Sequence, residues 1–246
     1  MSVTVIYLTC CAGIHEPRTT GGSGAHTNIS ISSETFHGEK SPKAPTLTPL
    51  ESIFLQSVLD NLQAICAFSL PTVASYARMA DGVWSGGTYA SWGTENREAA
   101  VRVGGAPGSH RFEIRCVDGT ASPYLYLASI LAAIIHGLDT GKTLNVAGSM
   151  DIAATLSKEQ REELGIGERR LPLKLEEARK YLDQSEVLRK GLGDNFIAKY
   201  LAVNEVRFSQ ILVMASCRNG SQTLQEHLSI AAGHDLTELN KIVAMY

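Results

Sequence analysis

Three charged residues alternate with two hydrophobes in the segment SHRFEIRCVD, residues 109–118. Arg111, Glu113 and Arg115 occupy every second position around Phe112 and Ile114. In an extended chain that spacing puts two guanidiniums and a carboxylate on one face and the apolar pair on the other. Two readings fit the pattern. The charged face is either a solvated ladder of cross-strand ion pairs or a surface that receives ions from outside. Arg78 in SYARM, Arg97 and Arg102 in WGTENREAAVRV, and His26 after the glycine run of GGSGAHTNIS bear on the choice. Five arginines and one glutamate in otherwise apolar segments leave half-buried cations without counter-charge, which is costly. An anionic ligand relieves that cost, and the planar donor fork of arginine suits carboxylate and phosphate. A nucleoside triphosphate together with a dicarboxylate is the natural guest. A histidine and a glutamate facing the same pocket add a place for Mg²⁺ or Mn²⁺ bridging the phosphates. Taken singly, His26 is more often a hydrogen-bonded structural histidine and GGSG more often a plain turn.

The elements that must position these groups are legible from periodicity. An apolar, strand-like segment opens the chain, and the glycine loop leads into the alternation His26-Thr27-Asn28-Ile29-Ser30-Ile31-Ser32, which predicts a strand. Residues 34–50 hold Gly38, Pro42, Pro45 and Pro49 and read as a loop. From Pro49 to about Leu70 the apolar residues Ile53, Leu55, Val58, Leu59, Leu62 and Ile65 recur at helical spacing. Residues 82–103 are rich in Gly and Trp and then strand-like, and residues 104–108 turn the chain into the charged strand. Ser122-Pro123 predicts a helix start with a hydroxyl N-cap. The helix that follows, YLYLASILAAIIHGL, is apolar around most of its circumference and is expected to be the buried central helix. Beyond Asp151 the chain alternates acidic and basic residues at helical spacing, the pattern of surface helices.

Composition narrows the class. The chain has 246 residues, 44% of them hydrophobic, and a formal net charge of −3, enough for one large domain with a helical tail. No Lys/Arg run is interleaved with aromatics, so the electrostatic footprint of a nucleic-acid binder is absent. The five cysteines show neither CxxC spacing nor nearby histidine pairs, which points to reduced thiols in a cytoplasmic protein rather than a disulfide framework or structural zinc. No positive residue precedes the apolar run at residues 3–14, so it does not read as a secretion signal. The other apolar runs are shorter than the ~20 residues of a membrane span.

Taken in order, GGSGAHTNIS, SYARM, WGTENREAAVRV, HRFEIRCVDGTASPYLYLASILAAIIHGL and SEVLRKGLGDNFIAKYLAV resemble the C-terminal catalytic domain of the glutamine synthetase family over about residues 21–208. The Trp-Gly and Glu-Asn-Arg motifs are most similar to its fungal FluG-type members. The resemblance implies an α+β fold, a curved and largely antiparallel sheet with packed helices. It implies a partial catalytic domain over 21–217, an uncertain segment at 1–20 and a helical tail at 218–246. It also implies roles. His26 and Glu113 resemble two ligands of the metal at the γ-phosphate; Arg97, Arg102 and Arg111 resemble the arginines that steady the ATP phosphates, with Ser30 near the nucleotide. Arg78 and Arg115 resemble those that hold glutamate, with Gly22 in the loop that touches it, and Arg97 and Arg78 are the implied catalytic arginines. The implied reaction is ATP-dependent ligation of glutamate with ammonia or a larger amine through γ-glutamyl phosphate, using Mg²⁺ or Mn²⁺. A homo-oligomer, or association with a full-length relative, is expected, and neither nucleic acid nor membrane.

Two departures carry expectations of their own. Members of the family have a β-grasp domain and further metal-binding glutamates upstream of the glycine loop, so the chain reads as an N-terminally truncated form whose two-metal site is incomplete. Between Asp81 and Glu95 there is no carboxylate, and Trp84 stands where ammonia-using members have a glutamate. A larger or less polar amine is then as compatible as ammonia. The alternative function is a nucleotide-binding or assembly protein without catalysis.

Overall fold

The computed structural model describes residues 2–8 (backbone only), 25–33, 36–83, 86–107 and 109–217, with side chains in the last helix to residue 206. The chain forms two compact units that divide between Leu192 and Gly193. The first carries a five-stranded sheet in the order β1-β2-β5-β4-β3. Its strands are β1 (Ser2–Leu8), β2 (Ala25–Ser32), β3 (Trp92–Thr94), β4 (Val101–Gly104) and β5 (Arg111–Val117). All neighbours are antiparallel except β3 and β4, a short parallel pair with Trp92 against Val101 and Thr94 against Val103. The largely antiparallel sheet expected from the sequence is therefore present. The pairing of β2 with β5 is interrupted once. Thr27 pairs with Ile114 but Ala25 pairs with Val117, so Arg115 and Cys116 together oppose His26, a bulge in β5.

One face of the sheet is core. Ile29, Ile31, Phe112, Ile114, Val101 and Val103 are all buried, and Phe112 meets Phe54 of helix α1 (Pro49–Ser69) with ring centroids 4.7 Å apart. Helix α1 starts where Thr48 and Glu51 close a reciprocal capping box behind Pro49. It is buried on nearly every side, its polar residues included, and several of these find partners. Ser57 Oγ donates to Ile53 O at 2.6 Å, Asn61 Nδ2 to Ser57 O at 2.9 Å, and Ser69 Oγ to Cys116 O at 2.6 Å. Cys66 of α1 and Cys116 of β5 are both buried free thiols. The hydrogen bond between them, together with burial, pushes the Cys66 thiol well above its ordinary range.

Helix α2 (Pro123–Asp139) differs from its expectation in two ways. The central helix is α1, and α2 lies against it with Tyr126, Ile130, Ala133, Ile134 and Gly137 buried while Tyr124, Leu131 and Ile135 are exposed. An all-apolar helix does not show which of its sides lacks a neighbour. Ser122 does stand at the N-cap, yet its hydroxyl makes no cap hydrogen bond, and Pro123 alone sets the first turn. The α1–α2 contact is close at Gly137, where an added Cβ would lie 1.8 Å from Ser57 Oγ.

The charged segments after Asp151 form the expected surface helices, α3 (Lys158–Glu163), α4 (Leu175–Asp183) and α5 (Glu186–Leu192). Leu175, Ala178 and Leu182 of α4 and Leu188 of α5 turn inward. The second unit contains α6 (Asp194–Cys217). The tail expected at 218–246 lies outside the described residues. No helix among the described residues is long and apolar enough to cross a membrane.

Candidate functional site

The opposite face of the sheet collects the charges. Glu113, in the middle of β5, is paired laterally with Asn28 of β2 and Arg102 of β4, so side chains of all three strands meet there. Its carboxylate is 8% exposed. Oε1 lies 2.7 Å from Nδ1 of His26 and also accepts from Nη1 of Arg115, while Oε2 lies 2.9 Å from Nη2 of Arg102. The short contact makes Nδ1 of His26 the donor to Glu113. Burial on its own would raise the Glu113 carboxyl. The His26 hydrogen bond and the charges of Arg115 and Arg102 outweigh it and hold the group at about 2. This is not a solvated ladder: Glu113 and Arg115 are buried and paired with each other.

The remaining arginines are set out along β5. At its start Arg111 is exposed, opposite Gly104, and Arg97 is exposed at the turn between β3 and β4. Neither has a carboxylate partner among the described residues. Asn96 fixes that turn, its Nδ2 donating to Ser149 O at 2.9 Å and its Oδ1 accepting from Glu98 N at 2.8 Å. Arg115 follows Glu113, its Nε donating to Arg97 O at 3.2 Å. At the far end Arg78, from a 3-10 turn over Val73–Arg78, donates from Nη1 to Val117 O at 2.7 Å and lies near Asp118. Burial lowers both Arg78 and Arg115 from the ordinary arginine value, opposed by Asp118 at the first and Glu113 at the second. From Arg111 to Val117 the strand spans about 20 Å.

The structure thus brings His26, Arg102, Glu113 and Arg115 into direct contact and places Arg97, Arg111 and Arg78 around them. Ser30 lies on β2, one step past the Ile29–Phe112 pair and half-buried. Gly22 and Trp84 are outside the described residues. Three residues given no site role by the sequence reading also matter here. Glu98 accepts from Gly82 N at 2.8 Å and anchors the loop that begins at Asp81; Asn96 shapes the Arg97 turn; Glu95 stands beside Arg102. The Glu-Asn-Arg motif is the only sequence signal for Glu95 and Asn96, and Glu98 lies just beyond it.

The fit to a divalent metal is poor on these residues alone. Both oxygens of Glu113 are engaged by cationic or N–H donors, and no group of three His, Cys, Asp or Glu side chains assembles among the described residues. A resident ion needs more oxygen ligands than one committed carboxylate supplies.

The profile of the glutamine synthetase catalytic domain matches residues 14–215. The chain belongs to the glutamine synthetase family. It is 34% identical over 193 residues to protein fluG of Emericella nidulans, covering 78% of this chain and 20% of that protein. It is 36% identical over 183 residues to a glutamine synthetase of Pyrococcus woesei, covering 72% and 40% of the two chains. A solved structure of ligand-free GmaS superposes with a TM-score of 0.58 at 27% identity, covering 83% of this chain and 44% of that one. The chain therefore spans less than half the length of these relatives, and its fold is that of the glutamine synthetase catalytic domain.

Proposed function

We propose that the charged face of the sheet is the anion-binding half of a glutamine synthetase-type active site. In this reading Arg97, Arg102 and Arg111 hold the phosphates of ATP, with Ser30 near the nucleotide, and Arg115 and Arg78 hold the carboxylates of glutamate. The order along β5 supports it. Arg111 lies at one end, Arg115 and Arg78 lie toward the other with Arg97 beside Arg115, and Arg102 and the His26–Glu113 pair lie between them, where a γ-phosphate and a γ-carboxylate would meet. The carrying observation is the excess of positive charge on a folded, partly buried face. Glu113 is spent on Arg102, Arg115 and the N–H of His26, and Arg97 and Arg111 are left for a ligand.

The reaction of such a site is phosphoryl transfer from ATP to the γ-carboxylate of glutamate, then attack of ammonia or a larger amine on the acyl phosphate. Charge neutralisation and positioning by arginines carry much of such a step. Glutamine synthetases generally use ATP with divalent metal ions. The described residues offer that ion only His26 and an already occupied Glu113, which favours the second reading: a nucleotide-binding protein, or an assembly partner of a full-length relative, that does not turn over alone.

Thermal unfolding with and without ATP tests the binding, and ADP release in the presence of glutamate and ammonia tests the chemistry. ATP at about 100 times its dissociation constant adds ~2.7 kcal/mol of stability. No shift at millimolar ATP removes the nucleotide reading. A shift without ADP release leaves binding without catalysis, and ammonia-dependent ADP release establishes the ligase.

A further inference from the structure

Glu95 follows β3 in an unfavourable conformation. Its φ is +54°, and it is the one non-glycine residue among the described residues in the left-handed region. Glycine or asparagine takes such a turn at less cost. Its N–H still donates to Val103 O at 3.0 Å. The carboxylate lies over β4, with Oε2 3.6 Å from Nε of Arg102. Oε1 occupies room left by Gly104, where an added Cβ would be 2.7 Å from this oxygen and 3.5 Å from Nη2 of Arg111. A negative charge therefore stands beside Arg102, and Arg111 borders the same space over Gly104 without pairing with it.

The two carboxylates on Arg102 are unlike. Glu113 is buried and hydrogen-bonded at 2.9 Å, whereas Glu95 is 60% exposed and beyond hydrogen-bond distance. The first is a fixed structural partner; the second is weakly held and cheap to move. We propose that Glu95 is a built-in competitor of the phosphate subsite. Its carboxylate stands beside Arg102 and over Gly104, in the space Arg111 borders, while no ligand is bound, is displaced by an incoming polyphosphate, and so sets the affinity of that subsite. The proposal rests on the reading of Arg102 and Arg111 as phosphate-binding cations, and it accounts for a strained acidic residue where a neutral one would fold more easily.

Calorimetric titration of the full chain with inorganic tripolyphosphate, in the presence of a chelator, tests it on the wild type, Glu95→Gln and Glu95→Asn. Glutamine keeps the shape and the strain without the charge, and asparagine removes the charge and eases the strain. Both variants are expected to bind about two- to fivefold more tightly than the wild type, the range set by one exposed ion pair. Unchanged or weaker binding by Glu95→Gln, with the wild type binding, overturns the competitor role and leaves the phosphate reading intact. Tightening in Glu95→Asn alone assigns the effect to backbone relief and also overturns it. If none of the three proteins binds at millimolar tripolyphosphate, the phosphate reading itself fails and takes the proposal with it.

Discussion

The imidazole of His110 and the carboxylate of Glu51 meet inside the core, with Nδ1 3.1 Å from Oε1 and 3.2 Å from Oε2. The side chains are 5% and 3% exposed. Glu51 also accepts from Thr48 N at 2.7 Å, so one carboxylate closes the first turn of α1 and ties it to the residue preceding β5. That contact fixes the start of the strand on which the candidate site is built. His110→Ala leaves a buried acceptor short of a partner and is expected to cost about 1–3 kcal/mol. Glu51→Gln, which keeps an oxygen for Thr48, should cost less. Urea unfolding at neutral pH measures both, and equal losses would show that the His110 contact depends on the charge of the Glu51 carboxylate.

Glu113 sets a pH dependence whose sign follows from its environment. Its folded value of about 2 lies below its ordinary value of 4.5, so it contributes stability above that ordinary value and loses it as pH falls toward 2. Each unit of difference is worth about 1.4 kcal/mol, which makes the contribution roughly 3 kcal/mol at neutral pH. Stability of the wild type is expected to fall between about pH 5 and pH 2. Glu113→Gln is expected to be destabilised throughout and flatter across that window, because Arg102 and Arg115 lose their buried counter-charge. Unfolding free energies at a series of pH values decide this, and parallel curves for the two proteins would mean that other carboxylates govern the acid limb.

The arginines should separate into two classes. Arg97→Ala and Arg111→Ala remove exposed side chains without carboxylate partners, so each is expected to change stability by no more than about 0.5 kcal/mol while abolishing most of the ATP-induced thermal shift. Arg115→Ala exposes the opposite behaviour. It strips Glu113 of a buried partner and is expected to destabilise by about 3–5 kcal/mol even without ligand. Melting curves with and without ATP on the three variants check the division. Ligand shifts of wild-type size in both exposed variants would remove Arg97 and Arg111 from the site.

Gly137→Ala sets two effects against each other. Alanine is the better helix former by about 1 kcal/mol, but its methyl group would fall 1.8 Å from Ser57 Oγ in the contact between α1 and α2. Overpacking of this kind costs about 1–3 kcal/mol, and the Ser57 hydroxyl is held in place by its bond to Ile53 O. Net destabilisation is expected in denaturant unfolding. A stabilised variant would show that the two helices separate easily.

The sequence carried the elements further than their arrangement. The periodicity of residues 49–70 marked α1, and the alternation of residues 111–115 marked the charged face of β5, because both signals are local. The misplaced centre of the fold, assigned to α2, arose because apolar composition records that a helix needs partners but not on which sides they are found. That Glu113 is shared by His26, Arg102 and Arg115 depends on β2 and β4 flanking β5, a long-range fact with no local signature. The parallel pairing of β3 with β4 was hidden for the same reason, since residues 82–103 read only as a Gly- and Trp-rich stretch that then becomes strand-like. Glu95 escaped notice because a left-handed glutamate breaks the preference from which a turn is read.

The bulge at Arg115 and Cys116 changes what a gap means in this part of the chain. Upstream of it, β2 and β5 keep step, with Thr27, Asn28 and Ile29 facing Ile114, Glu113 and Phe112 in turn. Beyond it they are one residue out of phase, as Ala25 against Val117 shows. Deleting either bulged residue would restore the step and turn every later residue of β5 through half a pleat. The carbonyl of Val117 that holds Arg78 would then no longer be offered on the same side. An alignment that closes the chain up by one position here does not shorten a strand; it exchanges inside for outside.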